Sequence, residues 1–143
     1  LSYKGKWLMD SFLLIFFNQT LAHPLLDAVM VALTTAGLAL LPILGLALFL
    51  SPKQRRIGAA ILASLVVGLI VTLIFQVLAG RPRPEAVRLL LPQPHFPSYP
   101  SGHAAAAFAT AVVIGLAYRR AHGWGVLLII ATLIALSRVY LGH

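Results

Sequence analysis

The sequence contains no cysteine, and its only carboxylates are Asp10, Asp27 and Glu85 in 143 residues. Without cysteine there are no disulfides, thiolate metal sites or cysteine nucleophiles, and the redox compartment is left open. No carboxylate cluster and no Cys/His ligand set argues for a metal. Charged residues make up 10% of the chain, against roughly a quarter in soluble domains. A chain this size folded in water would lack the polar residues to cover its surface. What is present is apolar: 60% hydrophobic residues, with a mean hydropathy of +0.95. Eleven Lys and Arg give a net charge of +8. Nucleic-acid domains cluster such residues on a soluble face, whereas here they sit in short gaps between long apolar runs. The solvent is lipid, and nucleic acid is not a partner. The length suits a single domain. The chain begins at Leu1 with no basic n-region or cleavage site, which reads as part of a longer protein.

Ala28 to Pro52 and Ile57 to Gly80 are free of charge, each supplying the roughly 20 apolar residues that cross a hydrocarbon core. Gly37 and Pro42 in the first allow an interfacial helix followed by a span. In the second, Gln76 is the one strongly polar side chain. Ala104 to Tyr118 and Gly123 to Ser137 are shorter and ambiguous by length alone. Unpaired backbone groups are not tolerated in lipid, so all four are expected to be helical. Trp7 to Phe17, short and holding Asp10, fits an interfacial helix or the tail of a further span. Small residues repeat every four positions at Ala60, Ser64 and Gly68, and again at Ala107, Ala111 and Gly115. Such stripes serve close helix packing.

Lys53, Arg55 and Arg56 fall in one short loop, and Arg119 and Arg120 with His122 in another. Positive charge near span ends favours the cytoplasm. Placing both loops inside brings the loop from Arg81 to Gly102 and the end from Ser137 to His143 together on the outer face.

That face collects Arg81 to Pro84, then Pro100 to His103, then Ser137-Arg138. Clustered ionisable groups at a membrane boundary are a functional hypothesis by default. For Arg81 and Arg88 alone, snorkelling to lipid headgroups is the favoured reading. Prolines 97 and 100 stop any upstream helix and Ala104 to Ala107 begin a strong one, so Ser101 is the expected N-cap. Gly102 leaves room for a ligand, and the free N–H groups of a helix start form an anion site. Arg83 and Arg138 can add charge-assisted bonds to phosphate oxygens, and His103 can protonate a leaving oxygen. His95 is a candidate headgroup contact, His23 an interfacial cap or turn residue, and Glu85 a neighbour that can pair with an arginine.

These three segments resemble the signature of the type 2 phosphatidic acid phosphatase superfamily, membrane phosphatases related to vanadium haloperoxidases: K-x6-R-P, P-S-G-H and S-R-x5-H-x3-D. Arg83-Pro84 match the end of the first motif, Pro100 to His103 the whole second, and Ser137-Arg138 the start of the third. Asn18, Pro24, Leu26, Asp27, Met30, Thr34 and Gly37 are similar to the helix preceding the core of bacterial members. Two departures stand out. Gln76 occupies the position of the motif lysine, and the motif histidine falls one position beyond His143. His143 itself matches the variable position beside it.

The resemblance implies an all-α integral membrane bundle of about four spans plus an N-terminal interfacial helix. Residues 1–143 then form one phosphatase-like domain, incomplete at its C-terminal end and inactive as it stands for want of the nucleophile. The implied activity is metal- and cofactor-independent hydrolysis of a lipid phosphomonoester or diphosphate through a phosphohistidine. Undecaprenyl diphosphate, phosphatidylglycerophosphate and phosphatidic acid are all admitted as substrates. His103 is the implied general acid. Arg83, Ser101, Gly102 and Arg138 hold phosphate, and Gln76 and His95 are possible substrate contacts. The implied location is the extracytoplasmic face of a bacterial cytoplasmic membrane. Gln76 and the missing motif residues leave an inactive homologue that binds phospholipid or protein partners as the alternative.

Overall fold

The computed structural model describes residues 8–83, 87–92, 95–118 and 121–142, with only the backbone described at 8–11 and 121–122. Among these residues every regular element is helical: α1 (Leu8–Ile15), a π-helical turn (Phe16–Thr20), α2 (Pro24–Leu50), α3 (Arg55–Ala79), α4 (Gly102–Tyr118) and α5 (Ala121–Tyr140). Consecutive long helices pack against one another, and α5 returns to contact α2. This is the expected all-α membrane bundle. Three helices are long and apolar enough to span a membrane. The fourth, α4, has 17 residues and so rises about 25 Å at 1.5 Å per residue.

The core lies where α2, α4 and α5 meet. Ala107, Ala111, Ala131 and Ile134 are buried there, with Leu41 and Leu127 packed on them. Most large aliphatic side chains of α2 and α3 instead face outward, as lipid solvation allows. The second small-residue stripe is a packing seam: Ala107 and Ala111 are buried, and a Cβ on Gly115 would meet the Trp124 ring at 2.6 Å. The first is not. Ala60 is exposed, and Gly68 has open space where a Cβ would be. The true seam of α3 runs through Gly58, Ile61, Thr72 and Gln76.

Three further expectations need correction. α2 is one continuous helix through Gly37 and Pro42, and Pro24 with the His23 cap starts it four residues before the apolar run. His23 Nδ1 accepts from the Leu25 amide at 3.2 Å. Arg55 and Arg56 open α3 rather than lying in a loop, and the Arg55 guanidinium stacks 5.0 Å from the Phe49 ring. His122 belongs to the first turn of α5. Arg119 and Arg120 lie outside the described residues, but Tyr118 beside them donates to Gln54 Oε1 at 2.9 Å. The end of α4 and the start of α3 therefore meet at one end of the bundle, and the ends carrying Gln76, Ser101 and Arg138 converge at the other.

Candidate active site

Two glycines turn the chain at the motif-bearing end. α3 stops at Gly80, whose left-handed φ of 54° lets its amide reach Gln76 O at 3.0 Å. α5 stops just before Gly142, at φ 76°. Both are the usual glycine ending of a helix. Between them the segment from Arg81 folds back: the Ser98 amide bonds Arg81 O at 3.1 Å, and Arg83 Nε donates to Phe96 O at 2.8 Å. α4 then starts as expected. Ser101 Oγ accepts from the Ala104 amide at 3.4 Å and Ser101 O from the Ala105 amide at 3.0 Å. The amides of the first turn, from Gly102, have no intrahelical acceptor.

These elements enclose a cavity of about 200 Å³ whose lining includes Arg83, Ser101, Gly102, His103 and Arg138, together with Gln76. The five residues expected to carry the chemistry thus share one space. Among the described residues, no carboxylate lines it. Arg138 is only 7% exposed, and its guanidinium has no hydrogen-bonding or carboxylate partner among the described residues. A buried cation with no protein anion is costly, and an anionic ligand relieves that cost. Burial also pushes the Arg83 guanidinium below its ordinary pKa, the direction that a bound anion reverses.

Gln76, 8% exposed, donates through Nε2 to Pro100 O at 2.8 Å. Its amide braces the turn into α4. His95 is exposed and outside the lining of the cavity. Gly102 faces Thr72 Cγ2, which an added Cβ would meet at an ordinary 3.7 Å, so the protein itself does not demand glycine there. Pro84, Glu85 and His143 lie outside the described residues.

A second, larger cavity of about 590 Å³ adjoins the first, sharing Ser98, Ser101 and Arg138 with it. Its walls are apolar: Leu13, Leu14 and Phe17 on one side, Ala104 and Phe108 of α4 and Leu136 of α5 on the others. Arg81 lines this cavity too.

Arg88 does not snorkel. Its guanidinium clasps the Asp27 carboxylate through Nη1 at 2.7 Å and Nη2 at 2.8 Å. That hydrogen bonding, more than any other influence, holds its pKa above the ordinary arginine value. The sequence held one signal for this contact. Asp27 is one of three acids in a strongly basic chain, and an acid near a span start wants a partner.

Comparison of the sequence with curated proteins gave no match. Among solved structures the fold is similar to the crystal structure of "the first transmembrane PAP2 type phosphatidylglycerolphosphate phosphatase from Bacillus subtilis". The TM-score is 0.74 at 24% identity, over 94% of this chain and 72% of that one. The family profile of the PAP2 superfamily matches residues 57–143, a stretch that holds all but the first two residues of α3, then α4, α5 and all three motif segments. The chain belongs to the PAP2 superfamily.

Proposed function

We propose that this protein is a membrane lipid phosphatase that hydrolyses a lipid phosphomonoester or diphosphate in the 200 Å³ cavity. The observation that carries this reading is Arg138: a buried guanidinium with no carboxylate partner among the described residues, sharing its cavity with Arg83 and the start of α4. The adjoining apolar cavity supports a lipid rather than a soluble ester, since apolar walls favour an apolar chain. The phosphatidylglycerolphosphate activity named for the structural neighbour is compatible with it.

In this mechanism the third motif's histidine, expected one position beyond His143, attacks phosphorus. The bond from phosphorus to the leaving oxygen breaks, and His103 supplies that oxygen with a proton. Water, deprotonated by His103, then attacks the phosphohistidine, releasing phosphate and the free imidazole. Arg83, Arg138, the Ser101 hydroxyl and the Gly102 amide stabilise the non-bridging oxygens throughout. No step uses a metal. Lys53, Arg55 and Arg56, at the start of α3, lie at the opposite end of the bundle, which by the positive-inside preference supports a cavity on the extracytoplasmic face. The bacterial cytoplasmic membrane is the proposed location.

The amide of Gln76, engaged with Pro100 O, brings no charge to the cavity and favours a second reading, a non-catalytic phospholipid-binding homologue. One experiment separates the two. The full-length protein is mixed with a lipid phosphate carrying radiolabelled phosphorus and quenched in alkali. A base-stable, acid-labile protein label is expected; its absence, with no phosphate released, leaves the binding reading standing.

A further inference from the structure

A polar network of side chains lies beside the candidate site, not in it. Asn18, in the π-helical turn, is 0% exposed. Both hydrogens of its Nδ2 are engaged, one with Arg88 O at 2.8 Å and one with Tyr140 O at 2.7 Å. Its Oδ1 accepts from the Arg88 amide at 2.8 Å. The Arg88 side chain reaches from there to Asp27 on α2, and the Tyr140 hydroxyl donates to the same carboxylate at 2.6 Å. The guanidinium also lies 5.6 Å from the centre of the Tyr140 ring. Four chain segments meet in this knot: the π-helical turn, the start of α2, the loop at Arg88 and the end of α5.

We propose that Asn18, Asp27 and Arg88 are positioning residues that clamp the end of α5, and so hold Arg138 at the phosphate cavity. The last carbonyls of a helix have no intrahelical donor, and Asn18 supplies one to Tyr140 O. Past that point Gly142 is walled in: a Cβ there would meet Val87 Cγ2 at 2.9 Å and Arg88 O at 3.3 Å. On the other side of Arg138, the Ser137 hydroxyl is 2.6 Å from the Thr34 hydroxyl of α2. Arg138 is therefore bracketed by attachments at residues 137 and 140, both made to residues that precede the family match at 57. A guanidinium within a short turn of helix can keep its aim only if the helix end keeps its rotation and height, since misplacement of about 1 Å costs on the order of 100-fold in rate. The clamp fixes both. This inference rests on the phosphatase reading for its rate consequences, but not for its geometry.

The test uses the full-length protein in detergent, with Arg88→Lys as the mild variant and Asn18→Asp as the sharper one. Lysine keeps the charge but not the two-pronged bond; aspartate keeps the shape but cannot donate to two carbonyls. Phosphate release from phosphatidic acid vesicles, inorganic phosphate affinity and Tm are measured for each. The expected result is a kcat/KM at least tenfold lower in Arg88→Lys, with Tm within a few degrees of wild type. Inorganic phosphate binds correspondingly more weakly. In an Arg138→Ala background the same change has little further effect, because the clamp acts through the group already removed. Losses that track Tm in both variants, or that multiply with Arg138→Ala, overturn the clamp. A wild-type protein that hydrolyses nothing defeats the phosphatase reading instead; the clamp is then judged by whether the variants weaken phosphate binding at unchanged Tm.

Discussion

Gln76 shows how one side chain can hold a motif position while doing different work. A lysine there would carry charge to phosphate, whereas the glutamine amide binds Pro100 O, one residue before the Ser101 cap. Gln76→Leu leaves that carbonyl without its donor, which costs about 1–3 kcal/mol and loosens the turn into α4. The expected outcome is a lower kcat on any substrate. Gln76→Lys restores a donor and adds a charge, so kcat/KM for a lipid diphosphate should rise relative to that for a phosphomonoester. An unchanged ratio would mean that the position does not sense substrate charge. At this scale the sequence was legible where chemistry is local. Ser101 caps α4 because serine before a helix accepts from the third amide in, and nothing distant is needed. Arg88 was not legible as an ion-paired residue, because its partner Asp27 is 61 residues away and no local pattern links them. His95, close in sequence to the Pro100 to His103 segment, is exposed and outside the lining of the cavity.

At the scale of elements, close approach decides which glycines matter. A Cβ on Gly58 would fall 2.1 Å from the Phe49 amide nitrogen and 2.6 Å from Gly45 O, so α2 and α3 touch backbone to backbone at their shared turn. Gly58→Ala must push these helices apart, and overpacking of this kind costs roughly 1–3 kcal/mol or more. Gly68→Ala, with open space at its Cβ, should leave Tm unchanged or slightly higher, since alanine favours helix. Thermal unfolding in detergent of the two variants checks the contrast; equal effects would contradict it. Helix existence and order were readable from the apolar runs. The unbroken course of α2 was not, because the helix-breaking tendency of Pro42 is local while the packing of Gly45 on α3 is tertiary. The π-helical turn that presents Asn18 had no sequence signal either.

For the molecule as a whole, the arrangement of ends matters more than any single helix. The hydrogen bond from Tyr118 to Gln54 holds the end of α4 beside the basic start of α3, and Gln76, Ser101 and Arg138 gather at the other end. Single cysteines introduced into this cysteine-free chain make the orientation measurable in intact cells. A membrane-impermeant thiol reagent should label a cysteine at Tyr99, which is exposed, and spare one at Lys53. The reverse pattern would place the cavity on the cytoplasmic side. That the shared cavity hydrolyses a lipid phosphate can be checked by phosphate release from phosphatidic acid by the full-length protein without added metal. Wild type should turn over, and His103→Ala and Arg138→Ala should each lower kcat by about 100-fold or more. Rates unchanged in both variants would contradict it.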